Sequence, residues 1–387
     1  MRKYLKKVKL IIKKKSYFRW LREIFLYAEI IINRIKFTYC KFSKKKQKQD
    51  LKEALDKYKS FQNMSQNSYL FSYFYNLYIN YDNFIHESIQ KILLPKKKIS
   101  SVFIVSKVKE LISNGMIIWD SNEIIKSDTF QKIKNTYLKE GYVVCPFKLA
   151  TSEKDSFIEA SKKLNYKLQG RKEVVEGDNI STNCTLPKNR SDAKAIQYLH
   201  KIVSSSSIQY PLKVRELLFE ISCYLMEQEK LEICSDQLWY SFPVKKLESE
   251  HDAAQNWHFD SDALEWIKIF TFFTDVDKKS GAHQAILGTH HTGAKSIKIR
   301  SYGVKRIPDH VINMEYDKKQ SFDLLAGSIV FGNTKCLHRA QPLEKEKYRL
   351  THQFYLTISP GSFIFPKLYQ YNSHSLEAVK MDDRGMK

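Results

Sequence analysis

The chain has 387 residues, 43% of them hydrophobic, with 23 Phe and 23 Tyr, enough to close a sizeable core and too apolar for a disordered chain. Its formal net charge of +23 points to acidic partners without naming one, and its six cysteines show no Cys-x-x-Cys spacing, which argues against a zinc site or a disulfide framework. No run reaches the ~18 uncharged apolar residues that a spanning helix needs, and no small-residue cleavage site follows the basic start.

Residues 1–48 form a basic amphipathic N-terminal arm, with 13 Lys and 4 Arg against 2 Glu, a net charge of +15. Its apolar stretch from Trp20 to Ile32 is broken by Arg22, Glu23 and Glu29. Such a segment suits an interfacial helix on anionic lipid, giving a cytoplasmic protein with peripheral contact at the inner face of a membrane. It equally suits a helix docked on the body or on a protein partner. Nucleic-acid binding is a third reading, and nothing beyond the arm supports it.

Residues 49–120 read as a helical accessory region, because Leu51, Leu55 and Tyr58 recur at helical spacing. The aromatic run Tyr69–Tyr78 reads as a packing surface, and Pro95 before Lys96 marks a break. Residues 121–366 then read as one β-rich domain and 367–387 as a C-terminal tail. Within the domain, Thr151 or Ser152 caps a helix. Residues 170–192, with Gly170, Gly177 and Pro187, read as a long polar loop.

Strand signals follow. Gln237–Pro243, Trp266–Thr274, Phe322–Phe331 and Arg349–Leu356 are rich in β-branched and aromatic residues, and Asp275–Gly281 is a turn. Between the first two runs stands Trp257-His258-Phe259-Asp260. Successive strand side chains point to opposite faces, so His258 and Asp260 reach one side while Phe259 packs on the other. His338 follows His258 by 80 residues and Arg349 follows His338 by 11, across the polar turn Gln341–Lys347. Two histidines and a carboxylate can hold a divalent iron on one face and leave the other open. An arginine close by is what a dicarboxylate would need. On the last strand, alternation puts Arg349, Thr351, Gln353 and Tyr355 on one face, so His352 points away and is no ligand. His251 and His283 read as loop residues and the pair His290-His291 as a surface loop. Cys336 reads as packing on the closing strand.

Over residues 130–360 the chain resembles the phytanoyl-CoA dioxygenase family of iron(II)- and 2-oxoglutarate-dependent oxygenases. The matching pieces stand in order: Phe130–Val144, then Trp257-His258-Phe259-Asp260. Phe273–Asp277 with Gly281, Leu287-Gly288-Thr289-His290, Gly327–His338 and Arg349 complete them. The resemblance implies a double-stranded β-helix (jelly roll, cupin-like), mainly β with flanking helices, plus a helical N-terminal extension. It implies that His258, Asp260 and His338 ligate Fe(II) and that Arg349 binds the distal carboxylate of 2-oxoglutarate. The hydroxyl residue that many relatives carry two positions after the distal histidine is replaced by Ala340, and Tyr240 and Ser261 are candidates to compensate. Halogenating relatives lose the carboxylate ligand, so Asp260 favours hydroxylation.

The expected function is an Fe(II)/2-oxoglutarate-dependent dioxygenase that consumes O2, releases succinate and CO2, and hydroxylates a small-molecule or carrier-linked metabolite, with basic charge hinting at an anionic one. A second reading is a catalytically silent jelly-roll protein that binds anionic lipids or glycans.

Overall fold

The computed structural model describes residues 49, 52–53, 99–168, 174–176, 196–201, 212–242, 255–300, 302, 306–344, 348–358, 369–372 and 375–378. The arm 1–48, most of 49–98 and most of the loop 170–192 lie outside the described residues. So do Ser204–Ser207 and His251.

Among the described residues the chain forms a mostly antiparallel β structure with several helices. The larger sheet runs β1(Ile117–Trp119), β2(Tyr142–Leu149), β10(Ser328–Gly332), β7(Trp266–Phe272), β12(Arg349–Thr357), β6(Lys230–Phe242), β5(Ile196–Lys201), β3(Asn165–Leu168), β4(Val174–Glu176). A hairpin of β13(Tyr369–Asn372) and β14(Ser375–Ala378) adds to β6, so part of the segment read as a tail is sheet. The smaller sheet is β11(Leu337–Ala340), β8(His283–Ile286), β9(Gln320–Phe322). The strand expected over Phe322–Phe331 is therefore two strands in different sheets. Gly327, at φ 92°, turns the chain between them and donates its N–H to Phe272 O.

Helices α1(Val102–Ser113), α2(Ser127–Glu140), α3(Thr151–Lys162) and α4(Leu212–Met226) precede the strands that hold the site. Helix α3 starts at Thr151, with Ala150 rather than a hydroxyl residue at its N-cap. Two short helices, α5(Ile297–Arg300) and α6(Asp309–Glu315), follow β8. Alternation along the larger sheet explains the layering. Ile267, Ile269, Ile329, Phe331, Leu350 and Phe354 point to one face and join Ile104, Val108, Phe130 and Leu217 in the main core. Each such side chain contributes about 1.5–3 kcal/mol on burial. Residues 99–120 thus pack with the body: α1 feeds this core and β1 pairs with β2. The intervening residues Phe270, Phe272 and Val330 face the smaller sheet, where they meet Ala285 and Phe322.

Two details tie the helical layer to the site. Gly141 ends α2 in the left-handed region at φ 81°, where a side chain would collide with Cys336 and His290. Its carbonyl accepts from Asn333 N–H at 2.6 Å, at the start of the loop that carries His338. In β6 the pairing with β12 skips Cys234 between the Ile233–Leu356 and Ser235–Tyr355 pairs. This bulge resets alternation, so that Ser235, Gln237, Trp239 and Ser241 share the inner face with Tyr355, Gln353, Thr351 and Arg349.

No helix among the described residues is long and apolar enough to cross a membrane.

Candidate metal centre

His258 and His338 are direct cross-strand partners. His258 N–H donates to His338 O at 3.0 Å and His338 N–H donates to His258 O at 2.8 Å. Their rings stand 4.2 Å apart between centroids. Asp260 is held two residues on, its N–H donating to Thr334 O at 2.9 Å. The outward neighbours anchor the segment: Trp257 and Phe259 are buried among Ile286, Ile299, Ile307 and Leu337. Trp257 Nε1 also donates to Asp309 at 2.8 Å. Alternation thus sends His258 and Asp260 inward, as the spacing predicted.

The donor atoms converge. One nitrogen each from His258 and His338 and a carboxylate oxygen of Asp260 all lie within 4.8 Å of one another. His258 Nδ1 lies 2.8 Å from Asn256 O, and His338 Nδ1 lies 2.9 Å from Cys336 O. A backbone carbonyl accepts only from a protonated Nδ1, which leaves Nε2 as the lone-pair donor on both rings. Both Nε2 atoms lie 3.9 Å from Asp260 oxygens. Burial, and then the neighbouring His338, hold the His258 pKa well below the usual histidine range; burial also lowers that of His338. Burial alone would raise the Asp260 carboxyl, but the Lys268 ammonium outweighs it and keeps the carboxylate ionised. Two neutral imidazoles and one carboxylate in this geometry fit a divalent metal ion of the iron type.

Sequence reasoning missed three neighbours. Lys268, on the inner face of β7, donates from Nζ to Asp260 Oδ2 at 2.6 Å. The signal was a single lysine among the inward positions Trp266, Phe270 and Phe272. Asp262 lies 3.9 Å from the same ammonium, and burial followed by Asp260 raises its carboxyl to about 7. His283 is a strand residue rather than a loop residue. It lies on β8 opposite Ala340, its ring 5.4 Å from that of His338.

Arg349 opens β12 as expected and is buried. It donates to the carbonyl of Gly281 and, at 3.3 Å, to Ser241 Oγ. Among the described residues its Nε has no partner, nor do the buried Ser235 Oγ, Trp239 Nε1 and Thr351 Oγ1 on the same inner face. Tyr240 does not join them. It pairs with Leu350 on the opposite face, where its hydroxyl lies 3.3 Å from Ser161 Oγ in the helix-side core. The neighbouring Trp239 faces inward instead. Ser261 is buried beside Asp260, and its backbone N–H bonds the Asp262 carboxyl. His352 points away from the metal ligands and pairs with Asp236 Oδ1 at 2.7 Å. His290 is outside the donor group: its Nε2 lies 3.1 Å from Leu138 O and its Nδ1 3.5 Å from Cys336 Sγ. Cys336 is buried there, as read.

No protein-family model and no curated protein matches the chain. Among solved structures it is similar to the non-haem α-ketoglutarate-dependent epimerase SnoN from nogalamycin biosynthesis, at 12% identity and a TM-score of 0.44 over 65% of this chain and 88% of that one. It is similar to the carbocyclase SnoK of the same pathway at 14% identity and a TM-score of 0.39, over 63% and 86%. HygX from Streptomyces hygroscopicus, crystallised with nickel and 2-oxoglutarate, stands at 11% identity and a TM-score of 0.40, over 59% and 87%.

Proposed function

We propose that this chain is an iron(II)/2-oxoglutarate-dependent oxygenase, with His258, Asp260 and His338 holding the metal and Arg349 the distal carboxylate of 2-oxoglutarate. One observation carries the reading. Two imidazoles, each fixed with Nδ1 on a backbone carbonyl, present Nε2 toward a single half-buried carboxylate. The two facing sheets are the halves of a double-stranded β-helix, a reading supported by the order β10-β7-β12-β6 on one side and by the His258–His338 bridge beside β11-β8-β9 on the other.

Iron(II), 2-oxoglutarate and O2 together supply oxidative decarboxylation to succinate and CO2, with oxidation of a substrate C–H bond. The chain's own residues bind and orient. Arg349, buried and held by Gly281 and Ser241, offers a fixed guanidinium to a carboxylate. The unpartnered Thr351 Oγ1, Trp239 Nε1 and Ser235 Oγ are costly to bury alone, and a polar ligand between the sheets would satisfy them. Phe270, Phe272 and Phe322 wall the space against water. Hydroxylation of a small-molecule or carrier-linked metabolite is the reaction we favour, because Asp260 keeps the third ligand position.

The second reading, a catalytically silent binding protein for anionic lipids or glycans, draws on the Lys268–Asp260 ion pair, which neutralises the carboxylate without a metal. The two diverge in one assay. Purified protein given Fe(II), 2-oxoglutarate and O2 should release succinate, and Asp260→Ala should abolish that release. Succinate at the level of a metal-free control would favour the silent protein. The arm 1–48 remains a proposed contact with anionic membrane or with a protein partner, and its removal should leave succinate release intact.

A further inference from the structure

Resting on the oxygenase reading, we propose that His283 is a second binding residue for the distal carboxylate of 2-oxoglutarate, donating from Nδ1 while Tyr142 holds Nε2. Ala340, two residues after His338, brings only a methyl group to the inner face. Its cross-strand partner on β8 is His283. Arg349 is fixed to the carbonyl of Gly281, two residues before His283 on the same segment, and its charge acts on the imidazole. The His283 ring stands 5.4 Å from the His338 ring and 5.1 Å from that of Phe270.

A neutral imidazole donates from one nitrogen only, and the partner of the other decides which. His283 Nε2 lies 3.0 Å from Tyr142 Oη. With the Tyr142 hydroxyl donating to Nε2, the proton stays on Nδ1, which takes no hydrogen bond among the described residues. In that tautomer the ring offers an N–H to an acceptor. A carboxylate beside Arg349 is the acceptor that the surrounding charge selects, since a cation there would meet the guanidinium. The hydroxyl that Ala340 cannot supply is thus replaced from across the strand pair. Gly332 makes the arrangement fit: it pairs with Tyr142, and any Cβ at that position would overlap the Tyr142 ring.

The test compares two 2-oxo acids on the iron(II)-loaded protein without oxygen, by calorimetric titration. 2-Oxoglutarate carries the distal carboxylate and 2-oxobutyrate lacks it. His283→Phe should weaken 2-oxoglutarate about tenfold or more, as loss of one hydrogen bond to a charged group implies, and leave 2-oxobutyrate within about twofold. Tyr142→Phe should weaken 2-oxoglutarate by less, about threefold. Ala340→Ser in the His283→Phe background should recover part of the loss. Unchanged 2-oxoglutarate affinity in His283→Phe, or equal weakening of both acids, would overturn the assignment of His283 while leaving the oxygenase reading intact. Wild-type protein that binds neither acid would instead overturn the oxygenase reading, and His283 with it.

Discussion

The Lys268 ammonium sits 2.6 Å from Asp260 Oδ2, on the carboxylate that both histidine Nε2 atoms face at 3.9 Å. A cation of the chain therefore shares the ligand that a metal would claim. Lys268 also meets Asp262 at 3.9 Å and lies over the Tyr355 ring at 5.2 Å.

Removing that cation leaves the half-buried Asp260 without its compensating charge. Breaking a fully buried ion pair costs about 3–5 kcal/mol, and this half-buried one should cost less. Lys268→Met should lower the melting temperature of the metal-free protein, and a divalent ion at Asp260 should restore most of it. Melting with and without Co(II) checks this. An equal deficit in both conditions would show that lysine and metal do not compete for the carboxylate.

Gly332→Ala should destabilise the chain by about 1–3 kcal/mol, because the added methyl group displaces the Tyr142 ring. Urea unfolding measures it. A variant as stable as the parent would mean that the ring has free space to move.

Thr351→Val separates folding from binding. The Thr351 hydroxyl is buried without a partner among the described residues, so its loss should cost the metal-free protein nothing. Affinity for 2-oxoglutarate should fall about tenfold if the hydroxyl bonds that ligand. Stability that drops while affinity holds would place the group in the fold rather than in the site.

Acid should destabilise the metal-free protein from about pH 6.5 downward. Burial lowers His258, His283 and His338, and holds His290 near about 4. Below about 6.5 the unfolded chain takes protons on these histidines that the folded chain refuses, so stability falls as pH falls. Asp262 acts in the opposite sense. Its folded value of about 7 lies above the ordinary 3.8, so the folded chain binds its proton first. Four histidines outweigh one carboxyl, and each net proton is worth about 1.4 kcal/mol per pH unit. Denaturation midpoints between pH 7.5 and about pH 5 should therefore decline; a midpoint that rises toward acid would contradict the buried neutral imidazoles.

The parts of the site that were legible in the sequence are those set by alternation along a single strand. His258 and Asp260 share a face because they are two residues apart, and Arg349 and His352 face opposite ways because they are three apart. Pairing between distant strands carried no such signal. Tyr240 was a candidate for lack of β6 register, which the Cys234 bulge resets and which turns Trp239 inward instead. His283 carries no strand signal of its own, because its strand is only four residues long and follows a turn. Lys268 stood in a run recognised as a strand, but its inward side became meaningful only once Asp260 was opposite. The break at Gly327 inside an apolar run split one expected strand between two sheets.

The central claim is best tested by anaerobic titration of Fe(II) and 2-oxoglutarate into the metal-free protein, followed by visible absorption. Chelation of the 2-oxo acid at an iron held by His258, Asp260 and His338 should give a metal-to-ligand charge-transfer band that saturates at one iron per chain and is lost in His338→Ala. No band in the wild-type protein, or a band of equal strength in His338→Ala, would contradict the account.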